Sequence, residues 1–112
     1  MNKLKMPPIH PGEMLMEEFI KPYKITLSKL AKNINIAEGY IKEIIAEKRN
    51  ITPSLSLRLA FYFNTSPDFW MNLQQHYDLE IAKTYEAEKI KKEIQPLLKP
   101  QTNHSHKRLY NN

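Results

Sequence analysis

The chain has 112 residues, 41% of them hydrophobic, and 17 lysines and arginines against 12 aspartates and glutamates leave a net charge of +5. That length suits one compact domain with an arm or tail, and the absence of cysteine excludes disulfides, thiolate zinc sites, iron–sulfur clusters and cysteine nucleophiles. Gly12 and Gly39, the only glycines, are too few for a P-loop or a dinucleotide-binding fingerprint, and no run approaches the roughly 20 apolar residues of a membrane span, nor does MNKLKMPP resemble an export signal, so a cytoplasmic protein is expected.

The chain contains no valine and few alternating apolar runs, so an all-α fold is expected. Residues 1–9 read as an extended arm. Pro11 suits the first position of a helix, His10 suits its cap, and Leu15, Met16, Phe19 and Ile20 recur at helical spacing until Pro22 closes the element within a residue or two. Thr26 caps a second helix whose Leu27, Leu30, Ala31 and Ile34 form one buried stripe. Asn33 and Asn35 supply a turn, since Asn tolerates a left-handed backbone. A third helix begins near Ala37 or Glu38 and buries Ile41, Ile44 and Ile45.

Thr52-Pro53 and Ser66-Pro67 each pair an N-cap hydroxyl with a proline at the first helical position, which starts a fourth and a fifth helix. After Pro67 no proline or glycine interrupts the fifth up to residue 95, and it extends about 40 Å if it does not break near His76 to Asp78. Its apolar line, with Phe69, Trp70, Leu73, Tyr77 and Ile81, reads as core and dimer packing, and its charged second half asks for a partner helix. Residues 96–112 are polar and read as a flexible tail. The domain plan is therefore an arm (1–9), a helical domain (10–66), a dimerising helical extension (67–95) and the tail.

Residues 26–45, TLSKLAKNINIAEGYIKEII, place two short helices around a three- to four-residue turn, which is helix-turn-helix spacing. In such a bracket the first helix crosses the DNA backbone while the second offers its leading residues to base edges. Residues 1–66 hold ten basic and six acidic side chains, and Lys29, Lys32, Lys42, Lys48 and Arg49 lie in or beside the two helices, as phosphate binding requires.

Three blocks extend the pattern: HPGE at 10–13, KRNITPSLSLRLA at 48–60 and SPDFWMNLQQHYDLE at 66–80. Over about residues 10–82 the chain resembles the HigA-type antitoxins, a branch of the Cro/cI-like (XRE) helix-turn-helix repressors. The resemblance implies a five-helix repressor-like domain and a homodimer that occupies the palindromic operator of its own operon. It also implies that the dimer silences a HigB-like messenger-RNA-cleaving toxin. By position, Thr26 matches the helix cap, Glu38 to Lys42 the start of the reading helix, and Lys48 and Arg49 the basic loop after it. The chain departs from the pattern at Leu27, often a phosphate-holding glutamine, at Asn35 in place of the turn glycine, and at Gly39 and Tyr40 in place of a serine–arginine pair.

The expected DNA-binding set is thus Thr26, Ser28, Lys29, Glu38, Gly39, Tyr40, Lys42, Lys48 and Arg49. Phosphate contact is the role expected of Lys48 and Arg49. Lys42 suits a guanine or a phosphate, and Tyr40 a thymine methyl, a sugar or its own domain. Glu38 and Glu43 place negative charge on the face that should meet phosphates, unless they accept from cytosine N4. No cofactor and no metal site is expected, His104 and His106 lying in the tail without a carboxylate neighbour. The rivals are a regulator without a toxin partner, a toxin-neutralising module that has lost base reading, and an acid–base ribonuclease using His10 and His76.

Overall fold

The computed structural model describes residues 6–100. Five helices follow one another, and among the described residues there is no strand. Helix α1 begins at Pro11–Leu15, widens into a π-helical turn at Met16–Ile20 and ends with Lys21–Tyr23. The His10 Nδ1 accepts the Gly12 N–H at 2.8 Å, which caps this helix. The π turn has a local cause: Pro22 has no N–H and its ring crowds the carbonyl four residues back, and the wider turn, with the Lys21 N–H reaching Met16 O, makes room for it.

Helix α2 (Leu27–Ile34) is capped by Thr26, whose Oγ1 accepts the Lys29 N–H at 3.0 Å. It stops at Asn35, left-handed with φ 61°. Helix α3 (Glu38–Ile45) follows, then α4 (Pro53–Phe63) and α5 (Pro67–Glu93), the last two capped by Thr52 and Ser66 hydroxyls at 3.2 Å. Helix α5 is unbroken through His76 to Asp78. It unwinds at Ile94 because Pro96 restricts the residue before it and donates no hydrogen bond.

The core gathers Leu15 from α1, Leu30 and Ile34 from α2, Ile41 and Ile44 from α3, Leu55 and Leu59 from α4, and Trp70 from α5. Trp70 is 0% exposed, and its Nε1 donates to Thr65 Oγ1 at 3.0 Å. Its ring lies 5.0 Å from that of Phe19, which also meets Phe63 at 4.8 Å. Of the two roles expected of it, Trp70 takes the core of its own chain, and its side chain has no exposed surface to offer a second copy. Gly12 sits where α1 crosses α3 so closely that a Cβ would strike the Ile44 carbonyl.

The first half of α5 packs on α4 and α1, and the second half stands clear of the globule, which draws the molecule out to 60 Å. Tyr85, Ile90 and Ile94 are exposed there. Residues 6–9 and 94–100 are non-helical; the rest of the expected arm and tail, with His104 and His106, lies outside the described residues.

Candidate nucleic-acid interface

The bracket is held from behind by α4. Arg58 Nη1 donates to the Ile34 carbonyl at 2.8 Å, at the end of α2, and Asn33 Nδ2 donates to the Tyr62 hydroxyl at 3.0 Å. Ala31, 4% exposed, lets α2 and α3 approach, and the Ile36 N–H bonds back to the Ala31 carbonyl at 2.9 Å. These contacts fix the angle at which α3 leaves the turn.

Because Ile41 and Ile44 face the core, the helical period turns Gly39, Lys42, Glu43 and Ala46 outward, and all four are exposed. A Cβ on Gly39 would have nothing within 4 Å, so no packing among the described residues calls for a glycine there. Two ion pairs flank this face. Lys42 Nζ lies 3.6 Å from Glu38 Oε2, and Arg49 Nε donates to Glu43 Oε1 at 2.6 Å. The Arg49 guanidinium also lies over the half-buried Tyr40 ring, 4.3 Å from its centroid. The hydrogen bond to Glu43 is the main reason that the guanidinium is held above its ordinary range, with Tyr40 adding to it. Glu38 and Glu43 therefore do not stand as bare charges against a duplex; each has its own cation.

The unpaired cations lie elsewhere. Among the described residues Lys29 and Lys32 on α2 and Lys48 after α3 are exposed and have no carboxylate partner. Ser28 is exposed on the first turn of α2, and Thr26, exposed as well, spends its hydroxyl on the cap.

Of the residues expected at a dimer face, Phe69, Leu73, Tyr77 and Ile81 are half-buried in the single chain. Tyr77 meets the His10 ring edge-on at 4.8 Å. His10 is buried with Nδ1 accepting the helix-capping N–H, while His76 is exposed. Among the described residues no group of side chains is placed to hold a metal ion, and no helix is long and apolar enough to cross a membrane.

Gln74 was not legible as part of the interface. It is 4% exposed, accepts the Ile51 N–H at 2.7 Å through Oε1, and donates through Nε2 to Asn50 Oδ1 at 3.3 Å and Asp78 Oδ1 at 2.9 Å. It thereby ties the basic loop at residues 48–51 to α5. Nothing local marks a glutamine for that role, since its loop partners lie more than 20 residues away.

A helix-turn-helix family model matches residues 16–70. Virulence-associated protein I of Dichelobacter nodosus is 43% identical over 82 residues, 73% of this chain and 76% of that protein. The solved structure of Pseudomonas aeruginosa antitoxin HigA with the higBA promoter is 41% identical and superposes with a TM-score of 0.78 over 81% of this chain and 99% of its own. That of antitoxin GraA in complex with its operator is 34% identical, with a TM-score of 0.79 over 88% of this chain and all of its own.

Proposed function

This chain belongs to the HigA-type branch of the helix-turn-helix family, and on that footing we propose that it is the DNA-binding antitoxin and autorepressor of a toxin–antitoxin operon. The observation that carries the reading is the division of charge on the bracket. Lys29, Lys32 and Lys48, without a carboxylate partner among the described residues, are left to neutralise phosphates, while Gly39 and the paired residues of α3 form a charge-balanced face for base edges. The solved relatives named above, bound to a promoter and to an operator, support it.

The protein acts by occupying its site and performs no chemistry. Two copies related by a twofold axis place their reading helices about 34 to 36 Å apart in successive major grooves of a palindromic operator. The second copy is met through Phe69, Leu73, Tyr77 and Ile81, and a HigB-like ribonuclease in the cytoplasm is the protein partner that the dimer silences.

Footprinting on the promoter upstream of the gene, with and without the neighbouring gene product, tests this. Protection of a palindrome by the chain, together with co-purification of the neighbour and loss of its ribonuclease activity, is the expected result. Uniform binding to any duplex overturns the autorepressor reading, and a neighbour that neither co-purifies nor is inhibited overturns the antitoxin reading. About 10³- to 10⁵-fold weaker binding between 50 and 200 mM salt is expected if each dimer makes roughly six to ten phosphate contacts.

A further inference from the structure

Resting on the operator-binding reading above, we propose that Arg49 reads a guanine in the major groove, and that Glu43 and Tyr40 are positioning residues which hold its guanidinium for that contact. A basic residue in the loop after a reading helix is expected on a phosphate, and Lys48 fits that role: exposed and without a carboxylate partner among the described residues. Arg49 differs in three ways. Its charge is already matched by Glu43 at 2.6 Å, so the pair as a whole gains little from a phosphate. Its guanidinium is seated over the Tyr40 ring, 4.3 Å from the centroid. The bond to Glu43 uses Nε and leaves both terminal amino groups outside it, on a side chain 46% exposed.

A planar donor fork held in one orientation is what guanine O6 and N7 require, and its affinity comes from geometry more than from net charge. Gly39 and the exposed Ala46 beside this cluster present no long side chain to keep α3 away from the base edges. Glu43, once alongside the base pair, also faces the N4 donor of the paired cytosine.

The test uses the full chain on its footprinted operator, with every base pair replaced singly and guanine N7 methylation interference measured in parallel, for wild type, Arg49→Lys, Glu43→Gln and Tyr40→Leu. For the wild type, one G·C pair in each half-site is expected to weaken binding roughly 5- to 150-fold when replaced, and its guanine to show interference. Arg49→Lys, which keeps the charge, should abolish both effects at that pair while leaving the salt dependence and the affinity for non-specific duplex unchanged. Glu43→Gln and Tyr40→Leu should blunt discrimination at the same pair and at no other. If Arg49→Lys keeps the wild-type base profile, the proposal is overturned and Arg49 is a phosphate contact; a wild-type interference pattern with no sensitive guanine overturns it equally. Absence of any preferred duplex for the wild type instead sinks the operator reading itself.

Discussion

Gln74 Oε1 accepts the backbone N–H of Ile51 across 2.7 Å, and together with the bond from Gln74 Nε2 to Asn50 Oδ1 this joins the loop that follows α3 to the longest of the described helices. Ile51 is 3% exposed, so its N–H has no water to turn to. The loop carrying Lys48 and Arg49 is thereby held by a side chain that itself touches no DNA in the proposed complex.

Replacing Gln74 by Leu should therefore act at two levels. The buried Ile51 N–H loses its acceptor, at a cost of about 1–3 kcal/mol in denaturant unfolding. Operator affinity should fall as well, at temperatures where the variant is still fully folded, because the loop is no longer fixed. An unchanged unfolding free energy would show that the bond has no structural weight.

The two glycines should respond to alanine in opposite directions. At Gly39 the new Cβ meets nothing within 4 Å, and the helix gains roughly 0.5–1 kcal/mol of stability. The same substitution is expected to weaken operator binding, since the methyl stands where the duplex approaches. At Gly12 the Cβ runs into the Ile44 carbonyl, and the overpacking costs about 1–3 kcal/mol or more. Thermal melts and promoter titrations of both variants decide the point; a Gly39→Ala protein that is more stable and binds as well as wild type removes the glycine from the interface.

His10 gives the fold an acid-sensitive joint. Burial, above all, holds its imidazole below the ordinary value of 6.5, against the carboxylates of Glu47, Asp78 and Glu13, which pull it upward. The unfolded chain thus takes up its proton at higher pH than the folded one. The His10 contribution is complete above about pH 6.5 and is lost as pH falls from there through the lower folded value. Protonation also turns Nδ1 from the acceptor of the Gly12 N–H into a donor facing it. Unfolding free energies between about pH 5 and 8 should show this loss, and His10→Asn, which keeps a cap acceptor but does not titrate, should flatten it. An Asn variant with the wild-type pH profile would place the sensitive group elsewhere.

Trp70 and Ile81 separate folding from self-association. Trp70→Ala should lower stability by about 3–5 kcal/mol at any protein concentration, because the ring is wholly inside one protomer. Ile81→Glu, on the half-buried flank further along α5, should leave the protomer folded and shift sedimentation from dimer to monomer. A variant that still sediments as wild type would move the dimer contact off that part of the helix.

Much of the fold was legible because it rests on short-range chemistry. The hydroxyls of Thr26, Thr52 and Ser66 and the imidazole of His10 each cap a backbone N–H two or three residues on, and Asn35 takes the left-handed turn with φ 61°. The π turn was not legible, since Pro22 reads from sequence only as a helix end. Glu47, left-handed with φ 63°, carries no glycine or asparagine signal. The candidate interface was recoverable as a set of residues but not as an arrangement. Glu38 and Glu43 looked like obstacles to DNA until their cations were placed beside them.

The amino-acid order by itself settled where the side-chain-capped helices start and which stripe of each is apolar, because caps, turns and periodicity are contacts within about four residues. Only the tertiary structure decided that Trp70 is core, that Gln74 and Arg58 brace the bracket, and that Arg49 is held by Glu43 and Tyr40 while Lys29, Lys32 and Lys48 have no carboxylate partner among the described residues. Those choices depend on which distant surfaces the helices bring together, and for an exposed cation the difference between a held group and a free one is the position of a carboxylate a few ångströms away.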